Sequence, residues 1–143
     1  MSYSAAENDR RAANLLMIGT VSAVNAGAAR ARVNFGDLGS PELPVGQLRA
    51  GALSFWWMPA MGEQVLVGCP GGDIGQGVIL CSIFAGNAPS SDAGVPLIDL
   101  AGGVIRVDGS IEVTGDVTAS GISLVEHVHG GVQPGLGNTG KPK

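Results

Sequence analysis

With 143 residues, the chain has room for one ordinary domain and an appendage, which argues against a multidomain enzyme. Charged residues make up 14% and hydrophobic residues 45%, a balance that argues against disorder, while 24 glycines and 8 prolines argue against a helical bundle and leave a turn-rich β protein. A formal net charge of -4, with only 8 Lys and Arg, disfavours a protein whose main task is neutralising phosphates, so no nucleic-acid partner is expected.

The opening residues lack a basic segment followed by an apolar one, and no later stretch approaches 18 uninterrupted apolar residues. A soluble protein made inside the cell is the expectation. Ser4 and Glu7 have capping-box spacing, which predicts a short helix stopping near Asn14, so that residues 1–14 form an N-terminal arm. Five β-like runs follow, at residues 15–24, 29–36, 52–59, 63–70 and 76–85. Turn chemistry separates them at Asn25 to Gly27, Gly36 to Gly39, Gly62, and Pro70-Gly71-Gly72-Asp73. Five short strands within residues 15–86 predict a small Greek-key barrel such as an OB-fold, although a strand count alone does not separate OB from SH3-like barrels. Cys69 and Cys81 are too few for a disulfide framework and are not spaced as a zinc pair, so both are expected as small core residues.

All six aromatic residues precede residue 86, and residues 87–96, NAPSSDAGVP, read as a linker. A repeat then fills the segment 97–126. Gly103, Gly109, Gly115 and Gly121 recur every six residues, with Ile105, Ile111 and Val117 two places after the first three and Val107, Val113 and Ala119 two places further. The intervening positions are mostly polar, so period-2 alternation gives one dry face and one wet face. A six-residue strand spans roughly 20 Å, and three of them cannot bury an apolar face or satisfy their edges as an isolated monomer. The missing surface is expected from other chains. Three copies wound about a common axis would form a short intertwined trimeric β-helix, a β-prism with the glycines at its corners. The alternative is a monomeric hexapeptide-type β-helix or a plain meander, but such helices usually need more repeats. Six acids against one base, Arg106, over residues 92–126 suit a solvated exterior.

The two histidines of the chain, His127 and His129, follow the repeat directly. On a continuing strand, positions i and i+2 point to the same side, so a trimer would gather six imidazoles about its axis. Such an octahedral shell suits a divalent transition metal other than zinc. Read on one chain alone, His-x-His is a weak signal and a solvated polar tail is the better reading, but the repeat just upstream reverses that preference because it independently calls for a symmetric trimer. A catalytic metal needs an open position and an acid or base beside it. Glu126 is the carboxylate nearby, and alternation points it away from both histidines, so no catalytic residue and no small-molecule substrate are expected. The competing readings are a small metal-dependent enzyme or ligand-binding barrel using the His-x-His pair, and an OB-fold nucleic-acid binder.

The chain resembles a known family, the baseplate assembly protein V or central tail spike of contractile-tailed phages and related phage-tail-like particles. The resemblance runs from Arg11-Ala-Ala-Asn-Leu-Leu-Met-Ile-Gly-Thr-Val through Phe55-Trp-Trp-Met-Pro, Gly62-Glu-Gln-Val-Leu-Val-Gly-Cys-Pro-Gly-Gly-Asp and Gln76-Gly-Val-Ile-Leu. Its most specific part is the ending, Gly121-Ile-Ser-Leu-Val-Glu-His-Val-His-Gly-Gly-Val-Gln-Pro-Gly. It implies an OB-fold collar, a trimeric β-helical needle, and a tip over residues 127–143 that holds one iron ion, Fe2+, through His127 and His129 of each chain. It also implies a non-enzymatic spike, made in the host cytoplasm and carried at the distal end of the virion tail. There it would contact tail hub and baseplate proteins, close the tail tube, and be driven through the bacterial outer membrane on contraction. With three clear repeats the needle is expected to be stubby, and no lysozyme-like insertion is present. Adjacent Trp56 and Trp57 are expected to face opposite sides of their strand, the outward ring being a candidate contact for a neighbouring protomer or the tail hub. Gly130 to Gly140, with Pro134 and Pro142, are expected to turn the backbone tightly around the tip.

Overall fold

The structure, a computed structural model, describes residues 3–129 and residue 135. The chain divides into two compact units, Met1–Leu97 and Ile98–Lys143. The expected turns of residues 130–143 lie outside the described residues, Gly135 excepted. Among the described residues no helix is long and apolar enough to cross a membrane.

The first unit opens with helix α1, Tyr3–Ala13. Ser4 therefore lies inside the helix rather than at its cap, and Glu7 turns towards the C-terminal side. Its Oε1 accepts from Arg10 Nη2 at 2.9 Å and Arg11 Nε at 2.8 Å, and its Oε2 accepts from Arg10 Nε at 2.9 Å. These bonds, that to Arg10 foremost, hold the Glu7 carboxyl down at about 2. No residue of α1 is buried. Its backbone instead comes down on Gly72, where an added Cβ would lie 2.5 Å from the Arg11 carbonyl oxygen, and where φ is +72°.

Eight strands follow: β1 Leu16–Asn25, β2 Arg30–Phe35, β3 Leu38–Gly39, β4 Leu43–Pro44, β5 Arg49–Ala50, β6 Ser54–Phe55, β7 Gln64–Gly68 and β8 Val78–Ile83. The main sheet runs β3-β2-β1-β7-β8 with antiparallel pairings, and β4 also pairs with β2. A parallel bridge from Val45 to Ile79, with Gly46 N donating to Ile79 O at 2.8 Å, joins the end of β4 to β8. The path β1-β2-β4-β8-β7-β1 is therefore closed. That is the five-stranded OB barrel, which removes the edges an open sheet would leave.

Inward alternation fills the barrel with Val21, Ala31, Val33, Leu43, Val65, Val67, Cys69 and Ile79, all buried. Where β1 and β2 press together there is no room for a side chain, since a Cβ on Gly19 would lie 2.5 Å from Val33 Cγ1. Buried Ser40 is satisfied, because its hydroxyl accepts from Val33 N at 2.9 Å and donates to Pro41 O at 2.7 Å. Burial pushes the Cys69 thiol up. Cys81, expected inside, is exposed instead. The cause is a register shift: Leu66 pairs with Cys81 but Val67 pairs with Ile79, so Leu80 is an extra residue and Cys81 does not follow Ile79 inward.

The run 52–59 is not the strand its composition predicts. Strand pairing there is confined to the small β5–β6 hairpin, outside the barrel sheet. The next backbone is taken up by a side chain, as Trp57 N donates to Gln47 Oε1 at 2.8 Å and Gln47 Nε2 donates to Trp57 O at 3.3 Å. Pro59, two residues on, has no N–H for a ladder.

In the second unit, β9 Thr118–Ala119 and β10 Ile122–Ser123 form a hairpin. Its two-residue turn has left-handed Ser120 (φ +51°) and Gly121 (φ +81°), the twist that suits tight hairpins. Gly121 is thus a hairpin turn, whereas Gly109 sits at φ +145° and Gly103 and Gly115 adopt no positive φ. Across 103–117 the single chain forms no strand, and its β-patterned residues pair with nothing in register.

Candidate functional site

Residues beyond the β9–β10 hairpin do not continue as a strand, because Leu124, Val125 and Glu126 form a turn. The chain reverses at Ser120-Gly121 and turns again before the histidines, so strict alternation does not set their facing. The two rings nevertheless meet, with centroids 5.2 Å apart and planes at 83°. His127 Nδ1 lies 2.9 Å from Ser123 O and 3.0 Å from Leu124 O. Carbonyl oxygens only accept, so Nδ1 carries the proton in these bonds and Nε2 is left for a ligand. Both imidazoles are exposed.

Gly121, Ile122, Ser123, Glu126, His127, Val128 and His129 line one open concavity. Among the described residues, no three His, Cys, Asp or Glu side chains come close enough together to hold a metal ion. A single chain therefore offers a pair of imidazoles. Two nitrogens fit a share of an octahedral shell and fall short of one on their own.

Asp116 is one of the six acids of residues 92–126 expected on a solvated exterior. It proves to be the organiser of this turn. Its Oδ1 accepts from Val117 N at 2.8 Å and Val125 N at 3.1 Å, while Leu124 N donates to Val117 O at 2.8 Å. The Ser123 hydroxyl, with these backbone donors behind it, holds the Asp116 carboxyl below the usual range. Only the Ser-Gly turn between Asp116 and Ser123 hints at this in sequence, since it folds the two towards each other.

The six expected trimer-core residues, Ile105, Val107, Ile111, Val113, Val117 and Ala119, are all exposed in the single chain, with Val117 at 43% and Ile111 at 72%. On the barrel, Trp56 and Trp57 do not split into one inward and one outward ring. They are 64% and 48% exposed, and Phe55 stacks on Trp57 at 6.1 Å. The Gln47 clamp accounts for this, because it holds residues 56–58 outside the alternating sheet. Leu48, Leu53 and Met61 nearby are also exposed. Of the arginines of this unit, Arg10 and Arg11 bind Glu7, and Arg30 Nη1 donates to Glu42 O at 2.8 Å.

These two regions are where the chain is similar to known proteins. The type VI secretion system/phage-baseplate injector OB domain matches residues 17–84, which is the barrel. The GpV apex motif matches residues 121–143, which include the turn and both histidines. A curated relative, the spike protein of Escherichia phage P2, is 30% identical over 113 residues, covering 75% of this chain and 54% of the relative. The chain thus spans about half the length of that relative. With the barrel, the apex and the relative in agreement, the chain belongs to the phage baseplate spike family.

Proposed function

We propose that the chain is a structural spike at the distal end of a contractile tail, acting as a homotrimer whose chains share one iron ion through His127 and His129. The observation that carries the reading is the row of exposed apolar residues at alternate positions from Ile105 to Ala119, followed by two adjoining imidazoles with His127 Nδ1 engaged by carbonyls. Monomers rarely expose so regular an apolar row, and two further copies would cover it. The same threefold axis would add the partners' imidazoles to His127 and His129. Iron bound there would cross-link three chain ends, and chain ends are otherwise the first part of a protein to fray.

The role is mechanical rather than catalytic: the spike closes the tail tube, meets hub and baseplate proteins through the barrel, and enters the outer membrane first on contraction. The exposed Phe55, Trp56 and Trp57 face is the surface best suited to a protein neighbour. Support comes from the family assignment, with one matched domain named for a phage-baseplate injector and a curated relative named as a spike protein. Antibody against this chain should label the distal end of tail particles assembled from the locus that encodes it. Labelling along the sheath, or particles that lack the chain, would contradict the reading.

A further inference from the structure

The hydrogen-bonded turn behind the histidines has no ligand role in the reading above, yet it reaches His127 by a short path. Asp116 Oδ1 receives Val125 N at 3.1 Å, and Ser123 Oγ receives Glu126 N at 2.8 Å. Two successive amides ahead of His127 are therefore fixed by side chains. The carbonyls of Ser123 and Leu124, in the same turn, then meet His127 Nδ1 at 2.9 and 3.0 Å. Leu124 is itself tied through its N–H to Val117 O, next to Asp116.

We infer that Asp116 and Ser123 are positioning residues that lock His127 in the Nδ1–H form, so that Nε2 is already aimed and basic before any metal arrives. The inference rests on His127 being a metal ligand, but the tautomer it concerns exists without metal. In water the neutral ring of a histidine side chain favours the proton on Nε2, which is the nitrogen left for a ligand here. A turn that presents two carbonyls to Nδ1 reverses that preference and fixes the ring plane. A ligand's outer hydrogen bonds do this in metal sites generally, and their loss typically costs about 10- to 100-fold in metal affinity. Asp116 suits the role because an unprotonated carboxylate only accepts, and the donors it gathers come from both strands' ends of the hairpin turn.

The test uses the full chain and variants Asp116→Ala, Asp116→Asn and Ser123→Ala. Asn keeps an acceptor oxygen where Ala keeps none, so Asp116→Asn serves as the conservative rescue. Nitrogen chemical shifts of the His127 ring, recorded after chelator treatment at a pH above the imidazole range, report the tautomer directly. The expected result is Nδ1–H in the wild type and largely in Asp116→Asn, with a shift towards Nε2–H in Asp116→Ala and Ser123→Ala. The barrel's thermal transition should stay in place throughout, which separates a loosened turn from an unfolded chain. In competition with a chelator, Asp116→Ala should then hold iron(II) about 10- to 100-fold more weakly than the wild type. An Nε2–H wild type, or identical tautomers in all four proteins, overturns the inference even where iron binds. A wild type that shows the Nδ1–H form but takes up no iron overturns the metal reading instead.

Discussion

Individual side chains divide sharply between those that hold the barrel and those that face outwards. Leu43 is among the largest fully buried side chains, on a strand only two residues long. It cannot be replaced by shifting a longer element. Leu43→Ala should cost about 2–5 kcal/mol in the barrel's denaturant transition, and a loss below about 1 kcal/mol would show that the site collapses around the change. Glu7 tests electrostatics instead. Its folded carboxyl is lowered from 4.5 to about 2, so the Arg10 and Arg11 bonds contribute fully above pH 4.5 and are lost as pH falls through about 2. The pair is solvent-facing, so salt should move the midpoint back up. A Glu7 carboxyl titrating near 4.5 by carbon NMR at low salt would contradict the Arg10 and Arg11 bonds to Glu7.

At the scale of elements, period and turn chemistry carried the strands that have a ladder on both sides. The runs expected at 15–24, 29–36, 63–70 and 76–85 correspond to Leu16–Asn25, Arg30–Phe35, Gln64–Gly68 and Val78–Ile83, each displaced by a residue or two at the ends. Leu43–Pro44, which closes the barrel, was invisible because two residues show no periodicity. The run 52–59 misled for the opposite reason: aromatic and apolar composition favours a strand, but the Gln47 side chain takes the Trp57 backbone bonds that a neighbouring strand would need. Cys81 was misplaced by the extra residue at Leu80, which no pattern of alternation announces. The docking of α1 is likewise a backbone matter. Gly72→Ala would bring a methyl against the Arg11 carbonyl at a left-handed φ, so α1 should lose amide-exchange protection while the barrel keeps its own. Unchanged protection over residues 3–13 would mean that α1 holds by another contact.

For the whole molecule, the sequence made the tip's ingredients legible and left its arrangement open. The repeat and the His-x-His pair could be read directly, but the pairing of the two rings arises from the turn at Leu124 to Glu126 and not from a continuing strand. The Asp116 bonds cross from one side of a hairpin to the other, which spacing alone does not reveal. Assembly can be separated from metal by two substitutions. Ile111→Asp places a charge on each copy's apolar row and forfeits about 1.5–3 kcal/mol of side-chain burial per chain, so trimers should give way to monomers by sedimentation. His127→Ala should empty the site and leave the trimer, because the apolar row is untouched.

The most direct measurement is native mass and elemental analysis on the same purified sample of the full chain. The account predicts a trimer carrying about one iron per three chains, in keeping with a six-ligand site on a threefold axis. A monomer, or a trimer without stoichiometric metal, would contradict the shared tip formed by His127 and His129.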